Sequence, residues 1–165
     1  MTATANRGAK PVAGKAIRVR VSIPHLGVPH VVALWHRGNV AEPSGGLEMA
    51  LYIVEKRFND VVLLDLRGRL TLGQETADLR ARLNQLLEAG QLRIIFKLEG
   101  VTYIDSAGLS TLVACHTSAR KRDGTVKLTH LTSRVRDLLQ ITRLSTVFEI
   151  FPTVEDARKS FESAT

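Results

Sequence analysis

Apolar positions in the first 48 residues keep neither a period of 3.6 nor a period of 2. Pro24 and Pro29 break the segment from Val19 to Val32, where a strand would otherwise be read. From Ala50 the pattern becomes regular. Tyr52 to Phe58 and Val61 to Leu66 are apolar-rich runs joined by Asn59-Asp60, which predicts a β-hairpin. Gly68 interrupts before Leu70-Thr71-Leu72, read as a short third strand. A helix is expected from Gln74 to Ala89, where Leu79, Leu83, Leu86 and Leu87 recur at helical spacing and Gly90 is placed to end it. Ile94-Ile95-Phe96 marks a buried strand over Arg93 to Leu98. Leu109, Leu112 and Val113 start a helix that reaches Arg122, followed by a turn at Asp123-Gly124 and a strand from Val126 to Thr129. Thr132 to Thr142 is a helix with Val135, Leu138 and Leu139 as its apolar stripe. Val147 to Phe151 is a strand. Thr153 and Asp156 have the spacing of a capping box, opening a last helix with Val154, Ala157 and Phe161 on its apolar face.

The predicted order is β-β-β-α-β-α-β-α-β-α. Strands alternating with helices imply an α/β fold with a mixed β-sheet and packed helices, parallel after the opening hairpin. The change near Met49 divides the chain into a disordered basic extension, 1–48, and one domain, 49–165. Met49 is also placed to be a translation start. A transit peptide is a third reading of the basic stretch, but Pro and Gly interrupt any amphipathic helix there.

Charge sharpens this division. Residues 1–49 carry six Lys/Arg and two acids, a net of +4, while residues 50–165 carry 17 and 14, a net of +3. The whole-chain charge of +7 therefore sits mostly in the extension, and the folded part is too mildly basic to predict direct nucleic-acid binding. No apolar run approaches the roughly 20 residues of a membrane span. Cys115 is the sole cysteine, so no internal disulfide forms, and a reducing, cytoplasmic compartment is expected.

The segment most suggestive of chemistry is Gly100-Val101-Thr102-Tyr103-Ile104-Asp105-Ser106-Ala107-Gly108-Leu109, between a buried strand and a helix. Asp105 and Ser106 are both good N-cap residues, and capping alone is a sufficient reason for them. A hydroxyl at a helix start is also a favourable place for a phosphate. The phosphate adds about −1.5 to −2 charges beside the positive end of the helix dipole.

Leu63-Leu64-Asp65-Leu66-Arg67-Gly68-Arg69-Leu70, followed by Gly100 to Leu109, resembles the STAS family of anti-sigma factor antagonists. Val135-Arg136-Asp137-Leu138-Leu139 and Val147-Phe148-Glu149-Ile150 continue the similarity, which covers residues 49–163. The resemblance implies a bacterial, cytoplasmic binding protein of partner switching, with no catalytic residues and no cofactor. It implies that Ser106 accepts phosphate from an anti-sigma factor that is itself a serine kinase, and that a separate phosphatase removes it. Unmodified, the protein binds the anti-sigma factor and frees the sigma factor, with Asp105, Ser106, Ala107, Gly108 and Leu109 in the contact. A STAS scaffold or sensor module without a sigma-factor role is the alternative. The chain departs from the family in carrying Lys97 where Asn or Asp is frequent, which places a positive charge in the strand before the motif.

A nucleophilic serine is the rival enzyme reading. The Gly-x-Ser-x-Gly elbow is only half present, since Ile104 stands two before Ser106, and His116 and His130 have no spacing that assigns them as bases. His25, His30 and His36 match no compact metal-ligand spacing. Cys115, three after Leu112, is expected in the core. Gly108 is read as the place where a missing side chain lets a partner come close.

Overall fold

A computed structural model of the chain describes residues 51–163 and the backbones of 18–21 and 31–34. The elements are β1 (Arg18–Val21), β2 (Val31–Leu34), β3 (Leu51–Phe58), β4 (Val61–Leu70), α1 (Gln74–Glu88), β5 (Arg93–Ile104), α2 (Ser106–Arg120), β6 (Thr125–Thr129), α3 (Ser133–Ile141), a 3₁₀ turn at Leu144–Thr146, β7 (Glu149–Phe151) and α4 (Val154–Glu162). They form one mixed sheet in the order β2-β1-β3-β4-β5-β6-β7. The strands from β2 to β4 are joined antiparallel, and those from β4 to β7 run parallel.

The hairpin forms as expected, with Asn59 in the left-handed region at φ 53°. Asn tolerates that conformation because its short polar side chain can bond locally. Two expectations are corrected by the sheet. Leu70-Thr71-Leu72 is no third strand: β4 runs unbroken to Leu70, and Gly68, at φ 102°, sits at a shift in its pairing with β5. The glycine absorbs a bulge that would strain another residue, so the strand continues past it. β5 is also longer than Arg93 to Leu98, because pairing with β4 carries it to Ile104.

A third correction lies upstream. β1 and β2 pair with each other, and β1 pairs with β3 through Val19 opposite Val54 and Arg20 opposite Ile53. Pro24 and Pro29 fall between these strands and so remove no ladder hydrogen bond from either. The rest of the expectation for residues 1–48 lies outside the described residues.

Alternation along the strands divides the core. Val62, Leu64 and Leu66 of β4 and Ile94, Phe96 and Leu98 of β5 pack with Leu79, Leu83 and Leu86 of α1, Leu112 and Cys115 of α2, and Val135 and Leu139 of α3. Val61, Leu63 and Ile95 point the other way, to Ala157 and Phe161 of α4. Each fully buried leucine contributes about 1.5–3 kcal/mol, so the larger layer dominates stability. The α4 layer is smaller and partly ionic. Lys127, buried there, lies 2.5 Å from Ser160 Oγ, 3.0 Å from Glu149 Oε2 and 4.1 Å from the centre of the Phe161 ring. On the opposite face, buried Glu55 accepts from Arg57 and Arg82, which ties α1 to β3. Thr153 caps α4 as its spacing with Asp156 predicts, accepting from Asp156 N, and Thr132, read as the first residue of α3, is instead its N-cap and accepts from Val135 N.

Candidate functional site

β5 ends at Ile104, and α2 begins at Ser106. Asp105, extended at φ −106° and ψ −175°, is the corner residue and the N-cap. Its Oδ1 accepts from Gly108 N–H at 2.8 Å, and its Oδ2 accepts from Leu72 N–H at 3.0 Å. One carboxylate thus caps α2 and also ties down the segment between β4 and α1. The Gly108 N–H bond, with lesser help from Leu72 and other backbone groups, holds the Asp105 carboxyl below the ordinary range despite partial burial. Charge on Asp105 is therefore part of the folded corner.

Because Asp105 takes the capping role, Ser106 is the first helical residue, and it is exposed. Ala107 is half-buried, and its carbonyl accepts from Thr111 Oγ1 at 2.9 Å. Gly108 and Leu109 face inward. A Cβ on Gly108 would lie 2.1 Å from Leu70 O and 2.8 Å from Ile104 Cγ1. The missing side chain therefore lets α2 approach the end of β4, and the expectation of a partner approaching over Gly108 is corrected. Of the five candidates, Ser106 alone is exposed, with Asp105 and Ala107 partly accessible beside it.

Sequence reasoning missed the side chains around this corner. Tyr103 is the register partner of Arg69 and is 41% exposed. The Arg69 guanidinium lies 4.7 Å from the centre of its ring, and that of Arg134, from the first turn of α3, lies 5.7 Å away. Leu72 is 80% exposed. The available signal was an isolated tyrosine and a leucine just before a predicted helix, but nothing local connects either to Arg134.

Other candidates are structural in their surroundings. Lys97 shares the α4-side face with Ile95, opposite to the layer that holds α2, and its Nζ lies 2.8 Å from Glu99 Oε2. That hydrogen bond is the main cause of the lowered Glu99 pKa. Cys115 is buried as expected, with its thiol pushed up to about 12 by desolvation, so it carries no thiolate at neutral pH. His116 packs edge-on against Phe148 with ring centres 5.3 Å apart, and burial lowers its pKa. It stands ten residues along α2 from Ser106, roughly 15 Å of helix. His130 lines a cavity of about 440 Å³ with Arg136, Leu139 and Ile150, and none of residues 105–109 contributes to it. Neither histidine is paired with Ser106 as a base would be. Among the described residues no cluster of three His, Cys, Asp or Glu side chains is placed to hold a metal, and no helix is long and apolar enough to cross a membrane. The tail histidines lie outside the described residues.

A mixed sheet opened by a hairpin, with an Asp-Ser corner at the end of a central strand, is the arrangement of the STAS class. The profile of the STAS domain matches residues 52–157, and the chain belongs to that family. It is 38% identical over 73 residues to the anti-sigma-B factor antagonist of Bacillus subtilis (strain 168), covering 44% of this chain and 65%, just under two thirds, of that relative. The fold is similar to that of an anti-sigma factor antagonist from Mycobacterium paratuberculosis, with a TM-score of 0.60 at 18% identity over 70% of this chain and 96% of the other. It is similar also to the phosphorylated form of SpoIIAA, a Bacillus cell fate determinant, with a TM-score of 0.54 at 20% identity over 68% and 99% of the two chains.

Proposed function

We propose that this protein is an anti-sigma factor antagonist switched by phosphorylation of Ser106. Unmodified, it binds an anti-sigma factor and so releases the sigma factor. The anti-sigma factor is a serine kinase that supplies ATP-derived phosphate to Ser106, and a separate phosphatase reverses the step. The observation that carries this reading is the division of labour at the corner. Asp105 holds the helix cap, which leaves the Ser106 hydroxyl exposed on the first turn of α2. Antagonists among its relatives, and a solved phosphorylated form of one structural neighbour, support it.

The charge change is large and the structural change small. Phosphate adds about −1.5 to −2 charges at the end of a helix whose dipole favours them. The helix dipole favours that charge, while the ionised Asp105 beside it, held by the Gly108 and Leu72 N–H groups, opposes it. The contact surface changes sign locally. A penalty of about 2 kcal/mol lowers partner affinity roughly thirtyfold.

The test is incubation with the anti-sigma kinase and ATP, followed by phosphopeptide mapping. Ser106 should carry the label, ahead of Thr102, Ser110 and Thr111. Ser106→Ala should bind the anti-sigma factor persistently with ATP present, whereas Ser106→Asp, with one charge and a shorter group, should weaken binding incompletely. Equal labelling of parent and Ser106→Ala would overturn the switch. Binding to a regulatory complex without any anti-sigma factor would point to the scaffold or sensor alternative.

A further inference from the structure

A second feature lies away from the Ser106 corner. β6 and β7 run parallel, and the residues at and just beyond their carboxyl ends wall the cavity of about 440 Å³ together with α3 and the 3₁₀ turn. Leu139 and Ile150 supply apolar lining that is continuous with the main core. Arg136 and Gln140, one helical turn apart on α3, and Ser145 of the 3₁₀ turn bring polar side chains to it. Among the described residues none of these three side chains is engaged in a hydrogen bond or an ion pair. His130 also lines the cavity and leaves β6 in the left-handed region at φ 51°. Its Nδ1 is buried with no hydrogen-bond partner among the described residues. Left-handed backbone at a residue other than glycine clusters at ligand sites, and a buried nitrogen without a partner is a group that a ligand can satisfy. No acid lines the cavity. Asp137 and Glu149, each next in sequence to a lining residue, are exposed, and Glu149 pairs with Lys127. Glu99, whose charge His130 favours, is bonded to Lys97.

We propose that this cavity binds a small organic anion, a single acid group on an apolar body, with the acid group on Arg136. The volume falls within the roughly 300–1,000 Å³ of small-molecule sites, and apolar walls with a few convergent polar groups are their usual make-up. The guanidinium fork of Arg136 matches a carboxylate in a bidentate pair. One guanidinium among the lining residues balances one negative charge, which fits a monoacid and not a chain of phosphates. Gln140 and Ser145 are neutral donors for the remaining lone pairs of the acid group. Arg136 is exposed, so the charged group stays near solvent while the apolar body is covered by Leu139 and Ile150. None of residues 105–109 lines this cavity, so the proposal stands or falls apart from the switch at Ser106.

The experiment is titration of the isotope-labelled full chain with sodium hexanoate, 1-hexanol and inorganic phosphate, followed through the amide resonances. Hexanoate should move the amides of Leu131, Gln140 and Ser145 together and reach saturation. 1-Hexanol should move the same amides about tenfold more weakly, because it has the apolar body without the charge. Arg136→Met should weaken hexanoate by about the same factor and leave 1-hexanol unchanged. Ser145→Trp, which fills the cavity from the 3₁₀ turn, should lose both. Melting temperatures without ligand check that each variant is folded; if Ser145→Trp unfolds, Arg136→Met decides alone. Folded Arg136→Met that binds hexanoate as tightly as the parent overturns the proposal, and so do shifts that never saturate. Phosphate that binds as tightly as hexanoate at the same amides overturns the apolar body.

Discussion

Arg93 and Arg69 both lay a guanidinium against an aromatic ring, at opposite ends of β4 and β5, yet their settings differ. Arg93 lies 5.9 Å from the centre of the Phe161 ring and 2.5 Å from Asp60 Oδ2. Phe161, on the inner face of α4, is buried with Lys127 over its ring. At the other end the ring is Tyr103, which is partly exposed and is shared by Arg69 and Arg134. The first arrangement closes a layer of the core. The second leaves a ring partly exposed on the strand that leads to an exposed serine. The same pair of residue types closes a core layer where the ring is covered and stays partly open to solvent where it is not.

The contrast can be broken most severely at Gly108. Even Gly108→Ala places a carbon on the Leu70 carbonyl, and Gly108→Val should cost at least about 3 kcal/mol of folding stability, read from the denaturant midpoint. Retained stability would mean that α2 does not pack on β4 as described. The covered end comes next. Lys127→Ala removes a cation from Ser160, Glu149 and the Phe161 ring and should cost about 2–3 kcal/mol, whereas Lys127→Met, which keeps the chain length without the charge, should recover much of it. If the methionine variant is as unstable as the alanine variant, the ion pair rather than packing holds α4.

At the exposed end the effects should be smaller. Asp105→Ala should cost about 0.5–2 kcal/mol at neutral pH through loss of the cap. The native bonds depress the Asp105 pKa, so its contribution is complete above the unfolded value of about 3.9 and fades as the pH falls through the folded one. Parent and variant should therefore converge in stability below about pH 4, and a constant difference down to pH 2 would assign the effect to something other than the carboxylate. Ser106→Ala should be the mildest, within about 0.5 kcal/mol of the parent in thermal unfolding, because Asp105 and not Ser106 caps the helix. A loss above 1 kcal/mol would return Ser106 to a structural role.

What was legible beforehand follows from the range of the interactions. The apolar stripe of Leu79, Leu83 and Leu86, the Thr153 cap of α4 and the Asn59-Asp60 turn each depend on residues within one or two turns of chain. So does the Asp105 cap, which is why the corner could be located and Ser106 singled out. Cys115 was placed in the core by the same helical spacing. The prolines do interrupt Val19 to Val32 as expected, but the pattern gave no sign of the short strands on either side of the break. The length of β5 also escaped, since its last six residues are held by pairing with β4 rather than by local preference.

By itself, then, the sequence determined the periodic faces, the caps, the alternation of strands and helices and the Asp-Ser corner, because each is written in neighbouring residues. Only the tertiary structure decided what those residues face. It turned Gly108 from a candidate contact into a packing requirement, because the carbonyl it must clear belongs to Leu70 on another strand. It set Lys97 on the α4 side beside Glu99, away from the layer that holds α2. And it brought Arg134 to the ring that Arg69 already touches, across two intervening strands and two helices. Such a meeting depends on the order of strands in the sheet and the end at which each helix starts, and no local pattern of residues encodes either.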